Sequence, residues 1–225
     1  MTEDSGPDAG LEQARSYLRD ADPVLARLID DRPAFDPRAW MAQLPPMDLY
    51  GALLFQVTGQ QLSVLATRRI LARIEALFGG HLPSPAELLD VDPGKLREAG
   101  LSWRKVSTLR DLAERFSDGR LNQDVLSALP DEELMAELTA VPGIGPWTVQ
   151  GALLIALQRE DVVLPGDLAL RKAVQAAYRL DHLPSQQEVL SIAEKWRPHR
   201  SLATSYLFSA AFEPAGTPLV APSET

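Results

Sequence analysis

The chain has 225 residues, of which 45% are hydrophobic and 24% charged, as in an ordinary globular protein. It contains no cysteine, which excludes disulfides, zinc–thiolate sites and thiolate-held iron–sulfur clusters and fits a reducing cytosol. No apolar run approaches the roughly 20 residues that cross a bilayer. Residues 1–10 lack the pattern of a secretory signal and predict a short disordered tail.

The net charge of −9 argues at first against a nucleic-acid partner, because phosphate binding usually needs a basic surface. The charge is unevenly distributed, however. Residues 1–50 carry 5 basic and 10 acidic side chains, whereas residues 51–115 carry 9 basic and 7 acidic. A nucleic-acid partner would therefore have to be bound by backbone amides and a few placed cations.

Apolar residues recur at the three-to-four spacing of amphipathic helices along most of the chain, and proline or glycine separates the segments. From Leu62 this spacing marks one helix face, which Gly79 and Gly80 end and which is formed by Leu65, Ala66, Ile70, Ile74, Leu77 and Phe78. Only 161–164 suggests a short extended stretch, and the chain after 213 is predicted to fray. The class is all-α. The predicted helices cover 11–30, 47–58, 62–78, 84–90, 92–99, 103–117, 122–128, 131–139, 146–158, 167–179, 185–196 and 200–212.

Between two of these helices, residues 141–146 are Val-Pro-Gly-Ile-Gly-Pro. Pro146 suits the first position of the second helix, where its missing N–H costs nothing. The two glycines let the backbone pass close to another surface, and the first N–H groups of the helix can bind an anion such as phosphate. A plain turn between two helices is the alternative interpretation.

Asp167 stands 22 residues after Gly145, where a new helix is predicted to begin. Aspartate is a common N-cap, and this is its simplest interpretation. Capping also fixes the direction of a carboxylate, so that the same residue is a candidate for chemistry.

Together, the hairpin and Asp167 resemble the signature of the helix-hairpin-helix (HhH-GPD) DNA glycosylase superfamily, and the match is closest to its 3-methyladenine DNA glycosylase II type. The resemblance runs from about 22 to 212. It implies a two-lobed, all-α fold without an N-terminal β domain, in which 1–50 and 166–225 form one lobe and 51–165 the other. The supporting stretches are Val57–Ser63, Ala99–Ser102 with Lys105 nearby, and Trp196–Ser201.

The resemblance implies a DNA repair glycosylase that flips an alkylated base, such as 3-methyladenine or 7-methylguanine, out of DNA and hydrolyses its N-glycosidic bond. Asp167 would be the catalytic carboxylate, stabilising positive charge on the sugar and orienting or deprotonating water. Relatives that also cut the strand carry a lysine at the position of Trp147. A monofunctional enzyme without lyase activity is therefore expected, and the missing cysteines agree.

Further roles follow from the same resemblance. Trp147 and Phe208 would line the base pocket, favouring a cationic base by stacking and cation–π attraction. Leu168 and Gly151 stand where relatives carry aromatic residues, which predicts a roomier or differently shaped pocket.

Gln61 or Leu62 would fill the gap that the flipped base leaves, although Leu62 could instead start the core face of the next helix. The amides of Gly143, Ile144 and Gly145 would grip a DNA phosphate.

The carbonyls of Thr139, Val141 and Ile144 would hold a structural Na⁺ or K⁺, and no cofactor is required. The partners would be DNA containing alkylated bases and a downstream AP endonuclease, with no membrane, for a monomer of the bacterial cytoplasm and nucleoid or of a eukaryotic nucleus. Three alternatives stay open. The first is a non-catalytic DNA-binding protein that uses the helix-hairpin-helix as a phosphate clamp. The second is a glycosylase for another damaged base, and the third is a protein that recognises alkylated bases and only recruits others.

Overall fold

The structure, a computed structural model, describes residues 7–36, 39, 44 and 46–212. Over these residues all the regular structure is helical, which confirms the predicted all-α class. The described helices are α1 (Pro7–Ala21), α2 (Pro23–Asp30), α3 (Leu49–Gly59), α4 (Val64–Leu77), α5 (Pro85–Asp90), α6 (Pro93–Glu98), α7 (Trp103–Ser117), α8 (Gln123–Ala128), α9 (Asp131–Thr139), α10 (Pro146–Ile155), α11 (Leu168–Tyr178), α12 (Gln186–Ala193) and α13 (Arg200–Phe212), with a 3₁₀ turn at Glu194–Trp196.

The two ends of the chain were predicted to be disordered or frayed. Helix α1 already begins at Pro7, inside the stretch 1–10, so that part of the prediction is wrong. Residues 1–6 and the tail from 213 lie outside the described residues.

The predicted helix 11–30 is in fact two helices, and Asp22 stands between them. Pro23 has no N–H and takes the first position of α2, where none is needed. The carboxylate of Asp22 accepts a hydrogen bond from Val24 N at 2.9 Å and caps the new helix.

Helix α4 buries only part of the predicted face, because Ile74 is buried as expected and Leu65 and Leu77 are not. Leu65 and Leu77 are 61% and 40% exposed, whereas Thr67, Leu71 and Ile74 are buried. The buried residues also follow the helical spacing, but they include a threonine, which the apolar pattern passed over. A count of apolar positions could not distinguish these two faces.

The chain divides into two compact units. The first, residues 1–45 and 159–225, contains α1, α2 and α11 to α13; within it α13 packs against α11 and α2. The predicted second boundary, between 165 and 166, comes later than the observed one. The reason is that Arg159, Glu160 and Val162 hydrogen-bond to Ser201 in α13. Buried side chains of this unit include Leu18, Leu25, Ile29, Val174, Trp196 and Tyr206.

The second unit, residues 46–158, is built around α3. This helix is apolar on nearly every side and buried along most of its length, as expected of a central helix. It packs against α10, α7 and α4, and α5 packs against α7. The described helices are all too short or too polar to span a membrane.

Candidate functional site

The hairpin between α9 and α10 depends on one glycine. Gly143 has φ +90°, and a Cβ at this position would lie 2.1 Å from Oγ1 of Thr108 in α7. Any side chain would therefore be strained by its backbone conformation and would also clash. The sequence predicted close backbone approach at this motif; the structure identifies Thr108 as the surface approached.

The hairpin amides are not equivalent. Ile144 N–H donates to Val141 O at 3.0 Å, so this amide is already paired inside the turn. Gly145 is the N-cap of α10, and the first turn of α10 has neither a side-chain cap nor an acidic residue. Nine of the described helices, by contrast, begin with a side chain that accepts a hydrogen bond from the first turn. The first turn of α10 thus differs from these nine in having no side-chain cap.

The turn between α3 and α4 carries both candidate wedge residues. Gln61 is exposed and has φ +59°, and Leu62 is 41% exposed and precedes the N-cap Ser63. The alternative that Leu62 starts the core face of α4 is therefore wrong. Both side chains remain candidates for the wedge.

Sequence reasoning did not assign the residues that hold this turn. Lys105 Nζ donates to the carbonyls of Thr58 and Gln60, both at 2.8 Å. Gln60 Nε2 in turn donates to Gly143 O at 3.1 Å and Thr148 Oγ1 at 2.9 Å. Burial lowers the pKa of the Lys105 ammonium. The available signal was the position of Lys105 just after Gly-Leu-Ser, but a sequence gives no carbonyl partners.

Trp147 is half-buried in the first turn of α10, and Gly151 follows one turn later on the same face. The space over Gly151 is filled, because a Cβ there would lie 2.3 Å from Nε2 of Gln56 in α3. Gln56 is only 8% exposed. The space that a larger side chain at position 151 would take is thus occupied by the amide of Gln56, and the shape of the base pocket stays a prediction.

Asp167 is the N-cap of α11, where its Oδ1 accepts a hydrogen bond from Leu170 N at 2.9 Å. The residue is half-buried, and its neighbour Leu168 is exposed. The predicted helix start is thus correct, and the carboxylate has a fixed direction. The other base-pocket candidate, Phe208, is half-buried in α13.

Ion pairs hold the segment that leads to Asp167. Arg200 Nε lies 2.6 Å from Asp161 Oδ1, and Arg197 Nη1 lies 2.7 Å from Asp161 Oδ2. Ser201 Oγ donates to Arg159 O at 2.7 Å and accepts from Val162 N at 3.0 Å. The extended stretch predicted at 161–164 forms no strand; residues 162–164 are buried as irregular backbone.

The far end of α11 is tied to a buried carboxylate. Asp22 accepts hydrogen bonds from the Tyr178 hydroxyl and from Trp196 Nε1, the latter at 2.8 Å, and Lys195 Nζ lies 3.1 Å away. Burial alone would raise the pKa of Asp22, but these donors and Val24 N–H together lower it below its usual range. The sequence did not indicate a structural role for Asp22, because its side-chain partners lie more than 150 residues away in the chain.

Metal ligation by side chains has no support in the described part of the chain, where no three His, Cys, Asp or Glu side chains group together. The predicted cation would rely on backbone carbonyls. Val141 O accepts one hydrogen bond, from Ile144, and a carbonyl oxygen has a second lone pair. Val141 O therefore keeps one lone pair that a cation could use, and the cation site itself stays a prediction.

The chain is similar to known proteins over nearly its whole length. It is 32% identical over 200 residues to DNA-3-methyladenine glycosylase 1 of Schizosaccharomyces pombe, covering 88% of this chain and 86% of that protein. It is 29% identical over 161 residues to DNA-3-methyladenine glycosylase 2 of Escherichia coli, covering 68% of this chain and 54% of that protein.

Solved structures agree. The Schizosaccharomyces pombe 3-methyladenine DNA glycosylase in complex with abasic DNA matches with a TM-score of 0.82 at 30% identity, covering 92% of this chain and all of that one. A DNA-3-methyladenine glycosidase from Bacillus halodurans matches with a TM-score of 0.66 at 28% identity, covering 85% and 90%. The family model described as "HhH-GPD superfamily base excision DNA repair protein" matches residues 56–199. The chain therefore belongs to the HhH-GPD superfamily of base excision DNA repair proteins.

Proposed function

We propose that the chain is a monofunctional DNA glycosylase that releases alkylated bases, such as 3-methyladenine and 7-methylguanine, from DNA. The observation that carries the proposal is the half-buried Asp167, the N-cap of α11. It follows a helix-hairpin-helix whose second helix, α10, has no side-chain cap, in a member of this superfamily. The names of the relatives support the substrate class, since both sequence relatives above are 3-methyladenine glycosylases.

The reaction breaks the bond between C1′ of the sugar and the base nitrogen, and the electron pair leaves with the base. A water oxygen then bonds to C1′ and gives up a proton. Positive charge develops on the sugar in the transition state, and the carboxylate of Asp167 stabilises it. The hydrogen bond from Leu170 N holds the carboxylate in one direction, and the carboxylate orients or deprotonates the attacking water.

DNA is bound chiefly by backbone. The amides of Gly143 and Gly145 and the first turn of α10 bind a phosphate through N–H groups and the positive end of the helix dipole. A Na⁺ or K⁺ on the carbonyls of Thr139, Val141 and Ile144 would add positive charge beside that phosphate. This mode of binding accounts for a DNA enzyme with a net charge of −9.

The absence of a lysine at position 147 supports hydrolysis over strand cleavage. A Schiff base needs an amine at the sugar carbon, and an indole cannot supply one. Trp147 instead offers an aromatic face, to which a cationic alkylated base is attracted by roughly 0.5–2 kcal/mol.

The test is release of free base from a duplex methylated at ring nitrogens, followed by chromatography of the small products. The expected result is free 3-methyladenine and a strand that stays intact until hot alkali cleaves it at the abasic site. Borohydride added during the reaction should trap no protein–DNA adduct. A trapped adduct would contradict the monofunctional mechanism while leaving glycosylase activity in place.

The non-catalytic alternatives predict a different result. A clamp or a damage-recognition protein would bind the duplex and release no base from alkylated, deaminated or oxidised DNA. Base release confined to deaminated or oxidised DNA would keep the enzyme and overturn the alkylated-base assignment.

A further inference from the structure

Both the backbone and the side chain of Lys105 make hydrogen bonds within the second unit. It is the third residue of α7, and its own backbone N–H donates to Oγ of the N-cap Ser102 at 3.2 Å. Its ammonium reaches back to the C-terminal end of α3 and donates to Thr58 O and Gln60 O, both at 2.8 Å. The side chain is thus anchored at both ends.

These two carbonyls are the ones that the turn itself leaves open. Gly59 O, between them, accepts Leu62 N–H at 3.1 Å. Lys105 occupies the carbonyls on either side, Thr58 and Gln60. Unpaired carbonyls at a helix C-terminus are costly when they are removed from water, and a cation there also interacts favourably with the helix dipole. One ammonium therefore fixes the start of the turn.

Gln60 extends the connection to the hairpin. Its Nε2 donates to Gly143 O at 3.1 Å, in the hairpin turn, and to Thr148 Oγ1 at 2.9 Å, in α10. Thr108, which lies three residues after Lys105 on α7, packs directly against Gly143. The helix that holds the turn also supports the hairpin.

These contacts stop at the residue before the exposed tip. Gln61 and Leu62 follow Gln60 directly, both are exposed, and Gln61 has φ +59°. The contacts of Lys105 and Gln60 therefore fix where the tip leaves the protein and leave the tip itself free to enter another surface.

We propose that Lys105 and Gln60 are positioning residues that hold the wedge turn at a fixed distance from the phosphate-binding hairpin. A phosphate bound at the hairpin then delivers Gln61 or Leu62 into the base stack in register. The proposal rests on the proposed glycosylase function. Lys105 and Gln60 hold the wedge turn and do not touch the reacting atoms. Removal of either side chain should therefore impair base extrusion and leave the chemical step intact.

The test uses Lys105→Met and Gln60→Met, with Lys95→Met as the matched control. Lys95 is an exposed lysine of α6 in the same unit, so the control removes the same charge without touching the turn. Single-turnover base release is measured on two methylated duplexes. In one, the lesion is normally paired; in the other, it lies in a bulge, where extrusion is already easy. Fluorescence of 2-aminopurine next to the lesion site reports extrusion directly.

We expect Lys105→Met and Gln60→Met to release the paired lesion about tenfold or more slowly than the parent and to give a smaller 2-aminopurine signal. On the bulged lesion the loss should fall to threefold or less, and the affinity for undamaged duplex should stay within threefold. Lys105→Arg should recover part of the rate, because arginine also donates to carbonyls.

An equal loss on both duplexes, or a paired-lesion rate in both variants equal to that of Lys95→Met, overturns the proposal. Should Lys105→Met fail to fold, Gln60→Met tests the same connection from its other end. If the parent itself releases no base, the proposed function fails. The 2-aminopurine signal then still decides between the variants and the control, since it needs no chemistry.

Discussion

The hairpin and the region that carries Asp167 are held in opposite ways. At the hairpin, Gly143 packs against a threonine and accepts a hydrogen bond from the neutral amide of Gln60. In the region that carries Asp167, by contrast, charged groups make the stabilising contacts. Asp161 binds two arginines in front of it, and at the far end of α11 the buried Asp22 accepts three side-chain donors.

The difference matches what each region has to do. A phosphate is gripped by amides whose geometry is set by shape, and no nearby carboxylate should repel it. A catalytic carboxylate must be held in one direction. The ion pairs of Asp161 orient the segment that leads to Asp167 and do not involve the Asp167 carboxylate. The hairpin should therefore be sensitive to size and insensitive to pH, whereas the Asp167 region should respond to pH.

The largest effect on stability is expected from Gly143→Ala. The positive φ costs roughly 1–2 kcal/mol for a residue with a Cβ, and crowding Thr108 adds about 1–3 kcal/mol. Gly119→Ala is the matched control, because Gly119 has φ +80° and open space around its Cβ position. Thermal unfolding should show a larger loss for Gly143→Ala than for the control, at every pH. Equal losses would mean that backbone strain alone, and not contact with Thr108, makes Gly143 necessary.

Asp22→Asn should cost about 2–3 kcal/mol, because hydrogen bonds to a charged group are lost in the interior. The folded pKa of Asp22 is lowered, so its contribution is fully present above the unfolded value of about 3.9 and is lost as pH falls through the folded value. The difference in unfolding free energy between parent and variant should be constant from about pH 5 to 8 and shrink below about pH 4.

Asp20→Asn is the control for this titration, since Asp20 is exposed two residues earlier. It should change the free energy of unfolding little at any pH. A difference for Asp22→Asn that persisted unchanged at low pH would show that packing, and not charge, stabilises this region.

The smallest effect is expected from Ser201→Ala, about 1–2 kcal/mol, because the change leaves Val162 N and Arg159 O without their hydroxyl partner. Ser205→Ala, on the same helix, removes only a hydrogen bond to Ser201 O at 3.1 Å and should cost less. Amide hydrogen exchange at Val162 should accelerate in the first variant and not in the second. Unchanged exchange would mean that the ion pairs of Asp161 hold the segment alone.

Local patterns in the sequence predicted most of the helices. Helix α7 has the predicted bounds 103–117, and α9 the predicted bounds 131–139, because caps, prolines and glycines act within a few residues of the position they affect. The same locality explains the correct position of Asp167 at a helix start. The split at Asp22 was also local, and Pro23 was its overlooked signal.

Most of the other errors and omissions concern partners far apart in the chain. Lys105 and Thr58, Gln60 and Gly143, and Asp22 and Trp196 are separated by 47, 83 and 174 residues. Nothing in one sequence links such pairs, and the apolar count on α4 failed for the same reason, since the neighbours of a helix decide which face it buries. Sequence reasoning found the residues proposed for chemistry and missed those that hold them.

One assay can separate a catalytic role of Asp167 from its role as the N-cap of α11. Single-turnover release of 3-methyladenine is compared for the parent, Asp167→Asn and Asp167→Ser, alongside DNA affinity and melting temperature. Asparagine and serine both cap helices but carry no charge, so that α11 should remain intact. If Asp167 is catalytic, we expect a rate lower by about 10²-fold or more in both variants, with affinity and melting temperature close to those of the parent. Rates within threefold of the parent would contradict a catalytic role and would reduce Asp167 to a helix cap.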